Sequence, residues 1–496
     1  MFEAAELGRK VSKKEFERLE PELRTKLLET QRELAEAGIP VILIVSGVEG
    51  AGKGEVVNRL HEWLDTRGIT TSAFWDETDE ERERPTAWRF WRHMPERGKI
   101  AIFFGSWYSA PIVERAFGKL SNGEFELELD RIASLERMIA ADGALILKLW
   151  YHLPKKEQSK RIEADRKEDG RNTLDVSPFT KKFAKRFDEF AAVSERAIRR
   201  TDTGQCAWRV IESTNRRYRD LATGFIILDA LRRRLDSEAA TPEPPESHDI
   251  EIPDLEAARL TILDRVDLTE RIEPKAYGRE LKSLQSRLNA LSWKAWERKK
   301  TCVALFEGWD AAGKGGAIRR VNRALDARLY RVVQIAAPTD EERAHHYLWR
   351  FWRGLPRAGH ITLYDRSWYG RVMVERVEGL AREEAWRRSY REINAFEEQL
   401  CDHGITLLKF WMHISPEEQL RRFREREKTP HKAHKITEED WRNREKWDEY
   451  RAAVNEMVAK TSTSEAPWTL VAGDDKRLAR VQVLRTFVEA FEKALA

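Results

Sequence analysis

Short apolar runs punctuate the chain: VILIVSG, IAIFFGS and ALILKLW in the first half, TCVALFEG, ITLYDRS and ITLLKFW in the second. Runs of this length, separated by stretches with helical periodicity, predict buried parallel strands alternating with helices, an α/β architecture. A charged amphipathic helix is predicted ahead of the first strand in each half, LRTKLLETQRELAEAG and LKSLQSRLNALSWKAWERKK. These helices are expected to pack the two halves together.

The halves are copies. A shift of 261 residues lays GVEGAGKGE (47–55) on GWDAAGKGG (308–316) and, without a gap, TDEER (78–82) on TDEER (339–343). It also lays WRFWR (88–92) on WRFWR (349–353), SWY (106–108) on SWY (367–369) and VER (113–115) on VER (374–376). Roughly 40% of positions between the loop and Gly118 are identical, which makes this a duplicated domain. Residues 236–254, DSEAATPEPPESHDIEIPD, carry four prolines and many acids and read as an exposed linker. The expected organisation is a first domain over 1–235, the linker over 236–254 and a second domain over 255–496. A length of 496 residues suits two hydrophobic cores.

Composition narrows the classes. No apolar run approaches the 18 or so residues of a spanning helix, so no membrane association is expected. The N-terminus lacks an apolar signal region, and Cys206, Cys302 and Cys401 are too scattered for a disulfide framework or a metal knuckle, so a cytoplasmic setting is expected. A net charge of +4 and the lack of a basic stripe with interleaved aromatics argue against nucleic acid as a partner.

The stretch CVALFEGWDAAGKGGAIRRVNRAL is a strand, a Gly-rich turn and a helix, the setting of a phosphate-binding P-loop. Gly308, Ala312, Gly313, Gly315 and Gly316 let backbone N–H groups face an anion, and Lys314 reaches a phosphate oxygen. The usual Ser or Thr after the lysine is Gly315 here and Gly54 in the first copy, so the metal needs other ligands. Asp310 and Asp365, the latter ending the ITLYD strand, are the natural choice, with Arg366 beside them for phosphate. The WRFWR tryptophans are expected in the core, with Arg350 and Arg353 as supports. After LLKFWMHI comes RRFREREKTPHKAHK, whose position suits a lid supplying cations to phosphates. Arg422, Arg426, Lys432 and Lys435 are its expected polyphosphate contacts, and Arg371 and Arg376 are candidate nucleotide contacts.

GWDAAGKGG, YDRSWYGRVMVERVEG and the Arg/Lys-rich stretch from Arg421 to Lys435 together resemble the polyphosphate kinase 2 family, specifically its two-domain members that phosphorylate AMP with polyphosphate. The resemblance implies two tandem P-loop kinase-like domains, each a parallel sheet flanked by helices with a helical lid. It also implies transfer of the terminal phosphoryl group of polyphosphate to AMP, giving ADP, with Mg2+ (or Mn2+) as cofactor, and it leaves a homo-oligomer open. Asp310 and Asp365 would then serve the metal and the acceptor phosphate, with Lys314 and Arg366 on phosphates. The residues alone leave two other readings: an ATP-dependent nucleoside monophosphate kinase, or a non-catalytic P-loop regulator that binds nucleotide or polyphosphate.

The first copy departs from the pattern. Phe104 stands at the position of Asp365, Gly105 at Arg366 and Glu49 at Asp310, while Lys53 survives. Loss of the acid and the arginine together predicts a first domain without turnover.

Overall fold

The computed structural model describes residues 1–168, 185–239, 261–430 and 436–496. Two compact units divide the chain: Met1–Glu77, Arg89–Glu243 and Asp340–Trp349 in one, Thr78–Trp88, Pro244–Thr339 and Arg350–Ala496 in the other.

The first unit contains helix α1 (Lys13–Glu36), strand β1 (Val41–Gly47), α2 (Lys53–Trp63), β2 (Ile69–Ala73), β3 (Ile100–Phe104), α3 (Asn122–Ala141), β4 (Leu145–His152), α4 (Lys155–Glu168), β5 (Trp208–Glu212) and α5 (Arg216–Ala239). The second contains α6 (Pro274–Glu297), β6 (Cys302–Gly308), α7 (Lys314–Asn322), β7 (Tyr330–Gln334), β8 (Ile361–Asp365), α8 (Glu383–Asp402), β9 (Thr406–His413), α9 (Pro416–Glu427), α10 (Glu438–Glu445), α11 (Trp447–Thr461), β10 (Trp468–Ala472) and α12 (Lys476–Leu495).

Each unit holds one parallel five-stranded sheet, ordered β2-β3-β1-β4-β5 and β7-β8-β6-β9-β10. The apolar runs are the strands, and the first five residues of β1 and the first six of β6 are buried because helices cover both faces. The helix ahead of each loop lies along the last helix of its own unit, α1 on α5 and α6 on α12. Helix α5 continues to Ala239, four residues into the expected linker, since Asp-Ser-Glu-Ala sustains a helix and the first proline is Pro242. Residues 240–254 of that linker lie outside the described residues. Trp88, Trp91, Trp349 and Trp352 are buried, as their pattern predicted. Among the described residues no helix is long and apolar enough to cross a membrane.

Strand β6 lies between β8 and β9, with Phe306 opposite Asp365 and Gly308 opposite Met412. The chain leaves β6 toward one neighbour and returns to the other, so a crevice opens at the carboxyl end of β6. Gly308 has φ +148, and a Cβ there would lie 2.5 Å from the Met412 carbonyl, so a side chain is sterically excluded where the loop departs.

Both units share one buried device. In the second, Lys409 Nζ donates to Glu397 Oε2 at 2.7 Å, to Tyr369 Oη at 3.0 Å and to the Thr461 carbonyl at 2.6 Å. Trp368 Nε1 and Tyr369 Oη donate to the other Glu397 oxygen at 2.9 and 2.7 Å. The first unit repeats it with Lys148, Glu136, Tyr108, Trp107 and Thr201. The SWY motif thus clips the segment after β3 to β4 and α3, and the segment after β8 to β9 and α8. Every charge in the clip is bonded, as burial requires.

Candidate active site

The loop between β6 and α7 turns its backbone into the crevice, with Gly313 left-handed immediately before the helix. Lys314 Nζ donates to the Gly308 and Trp309 carbonyls at 2.6 and 3.2 Å, folding over the loop. Burial pushes its pKa down, and Asp310 and Asp365 push it back up. Asp310 points into the same space. Its Oδ1 lies 3.5 Å from Arg366 Nη2, and its Oδ2 accepts from Asn443 Nδ2 at 3.0 Å. Burial opposes the charge of Arg366, but Asp310, Glu307, Glu439 and Asp365 outweigh it and raise the pKa of the guanidinium. Asp310, Lys314, Asp365 and Arg366 therefore converge at the ends of β6 and β8.

Arg366 is held at φ +66, a left-handed conformation that costs a non-glycine residue about 1–3 kcal/mol. Ala311 in the loop is left-handed too, at φ +62. Beneath them Glu307 is buried and accepts from Ser367 Oγ at 2.7 Å; burial raises its pKa, countered by that hydrogen bond and by Lys314 and Arg366. Glu307 and Asn443 escaped sequence reading. The signal for Glu307 was its alignment with Ser46, which makes it a further polar difference between the copies.

Among the described residues no three His, Cys, Asp or Glu side chains cluster into a metal cage. Two carboxylates at a phosphate loop instead fit a cation that keeps waters and shares its remaining positions with substrate phosphates, as Mg2+ does.

Arg422 is 2% exposed and does not face the crevice. Its guanidinium donates to the Ala311 and Ala312 carbonyls at 2.9 Å, to the Gly473 and Asp474 carbonyls, and to Glu418. It braces the loop from behind, where burial makes each of those carbonyls need a donor. Arg371 pairs with Glu375 at 2.6 Å, and Arg376 pairs with Glu456 at 2.6 Å while stacking over Trp386. Arg426 sits half-buried in the last turn of α9, and Lys432 and Lys435 lie outside the described residues.

The first unit's loop carries the same frame and a different filling. Lys53 donates to the Gly47 and Val48 carbonyls at 2.9 and 3.3 Å and also to Glu49 Oε1 at 3.0 Å. Arg161, aligned with Arg422, donates to the Gly50, Ser213 and Thr214 carbonyls. Gly105 takes the left-handed turn of Arg366 at φ +79, and Gly50 that of Ala311 at φ +76.

The polyphosphate kinase 2 family model matches residues 10–239 and again 271–496. A polyphosphate:AMP phosphotransferase of Pseudomonas aeruginosa is 47% identical over 495 residues, covering all of this chain and 99% of its own; one of Pseudomonas syringae pv. tomato is 46% identical over 502 residues. An NDP-polyphosphate phosphotransferase of Ruegeria pomeroyi is 40% identical over 220 residues, 44% of this chain. A crystal structure of a polyphosphate kinase 2 from Pseudomonas aeruginosa superposes with a TM-score of 0.88 at 45% identity, covering 100% of this chain and 99% of that one. With the family model matched in both halves and relatives aligned over its full length, the chain belongs to the polyphosphate kinase 2 family.

Proposed function

We propose that the second unit carries out the reaction: the terminal phosphoryl group of polyphosphate passes to the phosphate of AMP, yielding ADP, in the crevice above β6 and β8. That the chain is a phosphotransferase acting on polyphosphate and AMP follows from its full-length relatives. The assignment to this crevice rests on one observation, the convergence of Asp310 and Arg366 on Lys314 in the second unit.

A divalent cation accompanies phosphoryl transfer in this family, and Asp310 and Asp365 would hold it as Mg2+, supplying charge neutralisation between donor and acceptor phosphates. The remaining chemistry belongs to the chain. Backbone N–H groups of the loop and the first turn of α7 bind donor phosphates. Lys314, already folded over the loop, swings from the carbonyls to a phosphate oxygen. Arg366 neutralises the group in transit, its aim fixed by the strained backbone and by Ser367 on Glu307. No covalent intermediate is needed, because positioning and charge carry most of such a transfer. The first unit is the non-catalytic partner in this reading, and the setting is the cytoplasm.

The test supplies AMP and Mg2+ with either polyphosphate or ATP and follows ADP by phosphorus NMR. ADP formed with polyphosphate and lost in Asp365→Asn supports the reading. ADP formed only with ATP overturns it.

A further inference from the structure

Three contacts tie the α10–α11 segment to two consecutive loop residues of the second unit. Trp447 at the start of α11 stacks on Trp309, ring centroids 3.8 Å apart and planes 11° from parallel. Asn443, four residues earlier, donates to Asp310 Oδ2 at 3.0 Å. Arg444 donates to Gln419 Oε1 at 3.0 Å, and Gln419 in turn donates to the Asp310 carbonyl at 3.2 Å.

The segment is itself anchored. Glu378 accepts from Lys446 Nζ at 3.2 Å and from Tyr450 Oη at 3.3 Å, and Tyr450 Oη also lies 3.5 Å from Asn443 Oδ1. On the far side Trp309 Nε1 donates to His413 Nδ1 at 3.1 Å, and Trp411 stands edge-on to the Trp309 ring. The Trp309 indole is therefore held on one face by Trp447 and at its N–H by His413.

The chemistry of the Asn443 bond is specific. A carboxylate beside a phosphate loop has four lone-pair sites, and its useful direction is set by whichever donors occupy the others. Arg366 on Oδ1 is 3.5 Å away and 46% exposed, a weak restraint by itself. The neutral amide on Oδ2 fixes the carboxylate plane without adding charge. In the first unit Val48 and Phe187 stand at the positions of Trp309 and Trp447, and Glu49 bonds its own loop lysine instead.

We infer that Asn443 and Trp447 are positioning residues for the second site, a two-point clasp that orients the Asp310 carboxylate and holds the loop at Trp309, the residue before it. The inference rests on the reaction proposed above. It assigns a role to a segment beyond the phosphate loop and the strand-end Asp-Arg pair.

The test uses the full chain and its Asn443→Ala, Asn443→Asp and Trp447→Phe variants. Turnover of AMP with polyphosphate is measured against Mg2+ and AMP concentration, together with melting temperature and the far-ultraviolet exciton signal of the stacked indoles. Asn443→Ala should lower kcat about ten- to hundredfold, the usual effect of removing a group that orients a ligating carboxylate. The KM for AMP should stay within about twofold, since ground-state binding is untouched.

Asn443→Asp should be worse than Asn443→Ala despite its matching shape, because it sets one carboxylate against another. A residue that merely fills space would give the opposite order. Trp447→Phe should remove the Trp309–Trp447 contribution to the exciton signal, leaving that of the other indole pairs, and lower kcat less than Asn443→Ala. Wild-type turnover in Asn443→Ala, or an Asn443→Asp variant no worse than it, overturns the inference. If Asn443→Ala melts before it can be assayed, Trp447→Phe decides: unchanged kcat with the Trp309–Trp447 contribution to the exciton signal gone also overturns it. A wild-type chain that makes no ADP from polyphosphate would refute the reaction and not the clasp.

Discussion

Lys53 and Lys314 occupy the same place in the same loop and have different company. Lys53 is bonded to a carboxylate four residues back in its own loop, so the charge that would meet a phosphate is already met. Among the described residues Lys314 is bonded only to loop carbonyls, while Asp310 faces Arg366 and Asn443 across the crevice. One added methylene decides this: Glu49 reaches its lysine and Asp310 does not. A phosphate loop is therefore defined less by its glycines than by leaving its cation without an internal anion.

The backbone tells the same story. The non-glycine residues at positive φ among the described residues are Lys299, Ala311 and Arg366, all in the second copy, and their counterparts are Gly38, Gly50 and Gly105. The second copy retains side chains where the backbone resists them, and strain of this kind gathers at working sites. The buried Lys-Glu-Tyr-Trp clip, by contrast, is the same in both units to within a few tenths of an ångström. What both copies keep belongs to the fold, and what only the second carries includes the residues proposed for the reaction.

The comparison breaks most decisively at the lysines. Lys314→Met should cost about a thousandfold or more in kcat for ADP formation, while Lys53→Met should leave it within about twofold. Equal losses in steady-state assays would end the division of labour. Next in size, Lys148→Met and Lys409→Met each strand a buried glutamate and should each cost about 3–5 kcal/mol in urea unfolding. Unequal costs would show that the clip is not a shared structural part.

His413 supplies a smaller, pH-dependent difference. Burial lowers its pKa to about 4 from an ordinary 6.5, and its neutral ring accepts from two indoles, whereas His152 in the first unit meets Glu6 at 2.8 Å. Between pH 6.5 and 4 the unfolded chain takes up a proton that the native ring refuses. Stability from this group is therefore complete above pH 6.5 and falls as pH drops, by about 3 kcal/mol across the window. Urea midpoints of the second unit's transition at several pH values should show that slope, and His413→Gln should flatten it. Smallest is the effect of Arg366→Gly on stability, a gain of no more than about 1 kcal/mol from relieved strain, alongside loss of turnover. A large destabilisation would mean that the arginine is structural.

The sheet, the duplication and the loop were legible because each rests on local pattern: apolar runs, a constant shift of 261 residues, glycines at fixed spacing. Partners were not. Arg422, Arg371 and Arg376 read as ligand contacts because a cation's type is visible in sequence, but the carbonyls and carboxylates that occupy them arrive from elements 51 to 111 residues distant or from the next helical turn. Asn443 was invisible for the opposite reason, since nothing marks an amide in a charged helix until its neighbour 133 residues away is known.

Gly105 carries one more consequence. A Cβ at that position would lie 2.6 Å from the Phe74 carbonyl, so the first copy's backbone has closed over the space an arginine needs. Restoring the acid at Phe104 and the arginine at Gly105 would thus meet a wall that the second copy does not have. Glycine at this position thus acts as a lock: with the backbone settled against the Phe74 carbonyl, an arginine fits only if the segment that follows β2 moves first.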